Sequence, residues 1–191
     1  AGVIVLGARE GRFSRKGEAK SLVPFAASSI PLVTLGTFLL WFGWFGFNGF
    51  SQLAMGTFDD VNAISKIAVN THLAGAAGTA TAAIISRLLG GKTDIIMMLN
   101  GALAGLVAIT AEPLTPSPLL AILIGAIGSL IMYFGTKFLE SKKIDDVVGA
   151  IPVHMFAGIF GTLIVPLSNP DTSFGTPVSY THLRAHETER N

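Results

Sequence analysis

The sequence predicts an all-α membrane protein, a polytopic transmembrane helix bundle with about five complete helices. Of its 191 residues, 50% are hydrophobic and only 13% are charged, about half the charge of a typical soluble domain. The charges are also segregated, which leaves charge-free runs at residues 21–58, 67–86, 95–111, 113–136 and 147–170. The runs lack the two-residue alternation of barrel strands, and a helix is the other backbone form that satisfies its hydrogen bonds in lipid.

Each charge-free run is near or above the roughly 20 apolar residues that a helix needs to cross a bilayer. The apolar stretch "AGVIVLG" before the first charge is too short for this, and we interpret it as the end of a helix that begins before Ala1. The chain has no cysteine and a net charge of +1, which excludes disulfides and thiolate metal sites and gives no indication of a nucleic-acid partner. No motif predicts a cofactor or an enzyme.

Basic residues alternate between the predicted loops "AREGRFSRKGEAK", "DDVNAISK", "RLLGGKTD", "EPLTPS" and "KFLESKKIDD". The second and fourth loops contain only Lys66, whereas the first, third and fifth contain Arg9, Arg12, Arg15, Lys16, Lys20, Arg87, Lys92, Lys137, Lys142 and Lys143. Short positive loops stay in the cytoplasm. The odd-numbered loops are therefore predicted to be cytoplasmic.

The last residues change character abruptly at "VSYTHLRAHET". This stretch is similar to one reading-frame translation of a common sequencing-library transposon adapter. We therefore divide the chain into a partial membrane domain, residues 1–177, and a non-native tail, residues 178–191. On this interpretation the chain is a fragment, and His182 and His186 form no metal site despite their i, i+4 spacing.

The stretch "FLLWFGWFGFNGFS" places Trp41, Trp44, Asn48 and Ser51 along one stripe of a helix, with Phe47 beside it. One interpretation is an aromatic belt at the membrane interface. The other is a cation site at a pore mouth, since a desolvated aromatic face attracts a small cation by about 2 kcal/mol. A serine hydroxyl can also accept a hydrogen bond from an N–H cation.

His154 lies within the charge-free run 147–170, about eight residues or ~12 Å into its predicted helix and so close to mid-membrane. An ionisable side chain at that depth indicates function, although a neutral imidazole bonded to a neighbouring helix is the alternative. Pro152 removes a backbone donor beside it. Asp145 and Asp146 are predicted to cap the start of this helix.

Small residues predict where helices pack. Gly101 and Gly105 lie four residues apart, and so do Ala74, Gly78 and Ala82, a spacing that allows close helix contact in membranes. We expect interhelical hydrogen bonds from Asn70 and Asn100, and an interfacial polar role for His72.

The segments "GWFGFNGFS", "VNTHLAGAAG", "NGALAGLVAITA" and "DDVVGAIPVHMFAGIFGTL" together resemble the ammonium transporter family (Amt/Mep/Rh), in particular its bacterial Amt branch. The similarity extends from about Ala1 to Thr176 in the family's order and spacing. It implies an 11-helix protomer with two inverted five-helix halves and a final helix, assembled as a homotrimer. This chain would supply helices 6 to 10.

The resemblance also implies a role for single residues. Trp44 matches a conserved aromatic, Phe47 a phenylalanine that closes the outer pore mouth, and Ser51 the serine of the outer ammonium site. His154 matches the second histidine of the pore's pair, whose first member would lie before Ala1. Thr110 and Asp146 match a threonine near the outer vestibule and the acidic residue that opens helix 10. Phe50 departs from the family, because many members have a small residue there.

The implied function is ammonium or ammonia transport in the inner (plasma) membrane, with no cofactor and with a PII-type protein as a possible cytoplasmic partner. Two histidines at mid-membrane would take up or relay a proton, since histidine titrates near neutral pH. One alternative is a membrane ammonium sensor coupled to a cytoplasmic signalling partner. Another is a helical scaffold without a pore. The scaffold is distinguished by whether Trp44, Ser51 and His154 converge on one path.

Overall fold

A computed structural model of the protein describes residues 2–13 and 25–169. This part of the chain is a helical bundle, as predicted. Its helices are α1 (Gly2–Leu6), α2 (Ile30–Phe50), α3 (Phe58–Gly90), α4 (Ile95–Ile109), α5 (Pro118–Ser141) and α6 (Ala157–Ser168), and a π-helical turn, Ile151–Phe156, leads directly into α6. The predicted tail, with His182 and His186, lies outside the described residues.

Four helical stretches of the described chain are long and apolar enough to cross a membrane. They are Ile30–Phe50, Phe58–Gly90, Pro118–Ser141 and Ile151–Ser168. The fifth predicted crossing, α4, is apolar but has 15 residues, about 22 Å against a hydrocarbon core of about 30 Å. Its helix begins after Asp94, whose carboxylate accepts from the amides of Ile96 and Met97, and ends before Glu112 and Pro113.

The stretch "DDVNAISK" is helical, so its prediction as a loop is wrong. Thr57 and Asp60 form a capping box, in which each side chain accepts a hydrogen bond from the other residue's backbone N–H. Such a box, with acidic residues in the first turn, stabilises a helix start. Because of it α3 begins at Phe58 and extends over 33 residues. It ends at Gly91, whose φ of 75° closes the helix in the left-handed conformation.

The centre of the bundle is the close contact of α3, α4 and α5, as the small-residue spacing predicts. A Cβ added at Gly78 would meet the carbonyl of Gly101, and one at Gly105 or Gly125 would meet the carbonyl of Ala74. The hydroxyl of Ser129 donates to the carbonyl of Gly78 at 2.8 Å. The three helices therefore touch backbone to backbone, which only small residues allow.

Polar side chains join other elements to this centre. Asn70 donates to the carbonyls of Pro113 and Pro116, in the loop between α4 and α5. Asn100 donates to the carbonyl of Val148, ahead of the π turn. The predicted hydrogen bonds of both asparagines are confirmed, although their acceptors lie in connecting segments rather than in helices.

Candidate functional site

Trp44 and Thr110 join the C-terminal half of α2 to the end of α4. The indole Nε1 of Trp44 donates to Oγ1 of Thr110 at 2.7 Å, and this hydroxyl in turn donates to the carbonyl of Leu106 at 2.7 Å. Both polar hydrogens thus have acceptors, which fixes the ring of half-buried Trp44. The ring of Phe47 lies 6.0 Å from that of Trp44, centroid to centroid.

One to two turns further along α2, Phe47 and Ser51 border an open groove on the surface of this helix. The hydroxyl of Ser51 donates to the carbonyl of Phe47 at 2.9 Å, so its oxygen can still accept hydrogen bonds from a ligand. The Phe47 side chain is 64% exposed. The groove is lined by Gly43, Gly46, Phe47, Phe50, Ser51 and Leu53.

The residues of the predicted stripe on α2 do not all have the same surroundings, because some pack against α3 and others do not. Asn48 is 1% exposed and donates to Thr71 of α3 at 3.0 Å. The Trp41 ring lies against Gly75 and 5.5 Å from the ring of His72, also on α3. Trp41 and Asn48 therefore contribute to helix packing, and the open side of the stripe retains Trp44, Phe47 and Ser51. The His72 ring is exposed beside Trp41 and Phe45.

His154 lies in the π turn and is exposed in a second groove. The side chain of Pro152, two residues earlier, is buried instead and contacts the α5 helix near Gly135. No hydrogen bond links the His154 ring to the described part of the chain. The groove is lined by His154, Met155, Gly158, Ile159, Thr162 and Leu163.

The helix of His154 begins later than the sequence predicts, but its neighbours still place it at mid-bundle. His154 is the fourth residue of the π turn, not about eight residues into a helix. The turn itself begins deep, because Gly149 lies against Asn100 and Gly161 lies against Ala108. Between these two contacts, His154 is level with the middle of α4.

The structure brings Trp44, Phe47, Ser51 and Thr110 together but leaves His154 in a separate groove. Thr110 follows the middle of α4 by about seven residues, so it lies ~10 Å from the level of His154, toward the C-terminal end of α4. Ser51 lies seven residues past Trp44 along α2, again ~10 Å in the same direction. The order along the bundle axis is thus Ser51, Phe47, Trp44 with Thr110, and then His154.

Asp146 and Asp145 have different roles. The Asp146 carboxylate accepts the N–H of Ile151 at 2.7 Å, so the predicted cap at the helix start is confirmed for this residue. For Asp145 the predicted cap is wrong. Its side chain is 2% exposed and binds Arg9, in the loop that follows α1.

The Asp145 carboxylate is the centre of a charged cluster that the sequence prediction missed. It accepts from the backbone N, Nε and Nη2 of Arg9 at 3.0, 2.7 and 2.9 Å, and Nε of Arg12 lies 3.3 Å away. Hydrogen bonds from Arg9 lower the pKa of Asp145 to about 2. Arg12 also forms an ion pair with Glu140, and Glu140 in turn pairs with Lys137. The opposite charges on the predicted cytoplasmic loops were the feature of the sequence that could have indicated this cluster.

The arrangement is that of a polytopic helical membrane protein with a polar-aromatic groove near the end of α2 and a histidine at mid-bundle. A sequence profile of the Ammonium Transporter Family matches residues 1–185. The chain belongs to this family, which is one of transporters and not of enzymes. The match extends past Val178, and the non-native tail stays a prediction.

Individual relatives agree with the family. The chain is 42% identical to ammonium transporter Amt2 of Archaeoglobus fulgidus over 175 residues, which cover 92% of this chain and 36% of the relative. Among solved structures, a "Sensor Amt Protein" is 36% identical with a TM-score of 0.78, covering 87% of this chain and 39% of that one. Candida albicans Mep2 is 29% identical with a TM-score of 0.68, covering 74% and 30%. The chain thus spans about a third of the length of these relatives.

Proposed function

We propose that this chain forms part of an ammonium-conducting pore, in which α2 supplies the outer recruitment site and the π turn supplies a central histidine. The observation that carries the proposal is the ordered series Ser51, Phe47, Trp44 and His154 along one bundle. Family membership and the relatives named as ammonium transporters support ammonium as the substrate.

The outer site suits an N–H cation. Ser51 keeps acceptor capacity because its own hydrogen is bonded to the Phe47 carbonyl. The indole of Trp44 is held in place by Thr110, so its ring face is already oriented before a cation binds. Cation–π attraction at a desolvated site is worth about 2 kcal/mol or more. Phe47 lies between Ser51 and the interior on the same helix, the position of a gate.

The central histidine would lower the free-energy cost of moving ammonium across the membrane. Moving an ammonium ion into an apolar interior carries a desolvation penalty of at least several kcal/mol. An imidazole titrates near neutral pH and can accept or return a proton, so His154 would share in deprotonating or coordinating the substrate. Its open groove gives it access to a path that a further part of the transporter would enclose. Asp146 has a structural role, since it fixes the start of the helix that carries His154.

The remaining expectations belong to the whole transporter. We expect a homotrimer in the plasma membrane, with a PII-type protein as a possible cytoplasmic partner. Sensing is the second candidate function, and the specific observation in its favour is the 36% identity to the structure named a sensor Amt protein.

The test is a chimera in which this chain replaces the matching region of Archaeoglobus fulgidus Amt2. Methylammonium uptake by cells that express the chimera should exceed that of cells with an empty vector, and His154→Ala should abolish uptake or alter its charge coupling. The isolated 191-residue chain should not transport. A chimera that reaches the membrane and takes up nothing would contradict the proposal, as would unchanged electrogenic currents in His154→Ala.

A further inference from the structure

We propose that Asp145, held by Arg9 and Arg12, is a positioning residue for His154, an inference that rests on the proposed function of that histidine. The chain between α5 and the π turn, residues 142–150, is called the entering segment here. It determines how deep the π turn begins, and Asp145 anchors it.

The entering segment passes into the bundle instead of staying at the cytoplasmic surface. Asn100 lies five residues past the start of α4, about 7.5 Å along that helix, and it donates to the carbonyl of Val148 at 3.1 Å. Gly149, with a φ of 78°, lies so close that an added Cβ would be 2.6 Å from the Asn100 amide nitrogen. Both contacts place the end of the segment below the surface of the bundle.

The cytoplasmic end of the segment is held by charge. The Asp145 carboxylate is buried, and it accepts three hydrogen bonds from Arg9 while Arg12 lies 3.3 Å away. A buried carboxylate is strongly disfavoured unless such partners compensate it. The segment therefore has one strongly preferred position relative to the first loop.

This position is transmitted to the helix over a short distance. Asp146, the next residue, accepts the N–H of Ile151 at 2.7 Å, and the π turn begins there. His154 follows three residues later, so helical hydrogen bonding fixes its rotation relative to Ile151. A change in the anchor at Asp145 should thus shift the ring of His154, whereas His72 on α3 should not respond.

Nuclear magnetic resonance of histidine ring carbons tests this on the whole chain in lipid nanodiscs, with each signal assigned by a His→Gln variant. Asp145→Asn should shift the His154 resonance and leave that of His72 in place. Glu140→Gln is the matched control, because Glu140 binds Arg12 and Lys137 in the same cluster but lies on α5. It should move neither resonance. An unmoved His154 signal in Asp145→Asn would overturn the proposal, as would an equal shift in Glu140→Gln.

A second variant covers the case in which Asp145→Asn disturbs both histidines. Arg9→Lys keeps the charge but removes the paired hydrogen bonds of the guanidinium. A shift confined to His154 supports the proposal, and no shift, or a shift of both rings, overturns it.

Transport gives an independent measurement in the Amt2 chimera. Asp145→Asn should lower the maximal rate of methylammonium uptake and leave the half-saturating concentration unchanged, because the outer site at Ser51 is remote from the anchor. A changed half-saturating concentration at an unchanged maximal rate would overturn the proposal. If the unsubstituted chimera itself does not transport, the proposed function fails, and the resonance measurement still decides the role of Asp145.

Discussion

The indole N–H of Trp44 donates a 2.7 Å hydrogen bond to the hydroxyl of Thr110, and this bond joins α2 to the C-terminal end of α4. The two residues are 66 positions apart in the sequence. Their contact links the groove of Phe47 and Ser51 on α2 to the closely packed centre of the bundle, and so it fixes where this groove lies relative to His154.

Removal of the Thr110 hydroxyl tests this link. Thr110→Val should destabilise the protein by about 1–3 kcal/mol, because the half-buried Trp44 N–H loses its acceptor. Unfolding by denaturant, followed by Trp44 fluorescence in a Trp41→Phe background, measures the effect. Thr162→Val is the control, since the exposed Thr162 hydroxyl bonds only to the carbonyl of Gly158. Equal stability of the two variants would contradict the prediction.

Substitution of Ser51 tests the outer site. In the Amt2 chimera, Ser51→Ala should raise the half-saturating methylammonium concentration about 10- to 150-fold, because a hydrogen bond to a charged group contributes about 1.5–3 kcal/mol. The concentration dependence of uptake measures this. Ser65→Ala is the control, because the exposed Ser65 hydroxyl donates to the carbonyl four residues earlier just as that of Ser51 does. An unchanged concentration dependence would remove Ser51 from the site.

Gly78→Ala tests the close packing of α3 against α4. The added methyl group would meet the carbonyl of Gly101, and a backbone atom cannot rotate away. We expect a loss of stability of at least the 1–3 kcal/mol typical of overpacked cores, measured as unfolding in detergent mixtures. Gly43→Ala, on the open side of α2 where no atom lies within 4 Å, should behave as wild type or be slightly more stable. A stable Gly78→Ala variant would contradict the packing.

Acid should weaken the anchor at Asp145. Arg9 lowers the pKa of Asp145 to about 2 in the folded chain, against about 3.9 for an ordinary aspartate. The ionised carboxylate thus favours the folded state; this contribution is complete above about pH 4 and is lost as the pH falls toward 2. Stability measured across this range should fall more steeply in wild type than in Asp145→Asn. Asp59→Asn, which removes an exposed carboxylate, should retain the wild-type slope, and equal slopes for all three proteins would refute the assignment.

The sequence predicts most of the membrane-spanning helices, because burial in lipid requires long apolar runs and such runs can be recognised without a structure. It also predicts the packing at Gly78 and Gly105, since only small residues allow such close contact. The residues at which helices begin and end are harder to predict from the sequence. The charges of "DDVNAISK" resemble a loop, and only the reciprocal hydrogen bonds of Thr57 and Asp60 show that the segment is helical.

The contacts among the predicted site residues could not be predicted from the sequence. Helical periodicity places Trp44, Phe47 and Ser51 together, but it cannot show that Trp41 and Asn48 turn toward α3, because that depends on the crossing of two helices. The pairing of Arg9 with Asp145 spans 136 positions, and no local pattern encodes a contact of that range.

The backbone contacts of α3, α4 and α5 have a consequence for motion. Where Gly78 meets Gly101 and Gly105 meets Ala74, no side chain lies between the helices that could change rotamer and let one slide past another. These three helices should therefore move as a single rigid body. In the described chain, the elements outside it are α1, α2 and the π turn with α6, so the contribution of this part of the chain to any widening of the proposed conducting path would come from tilting of α2 or of the helix that carries His154.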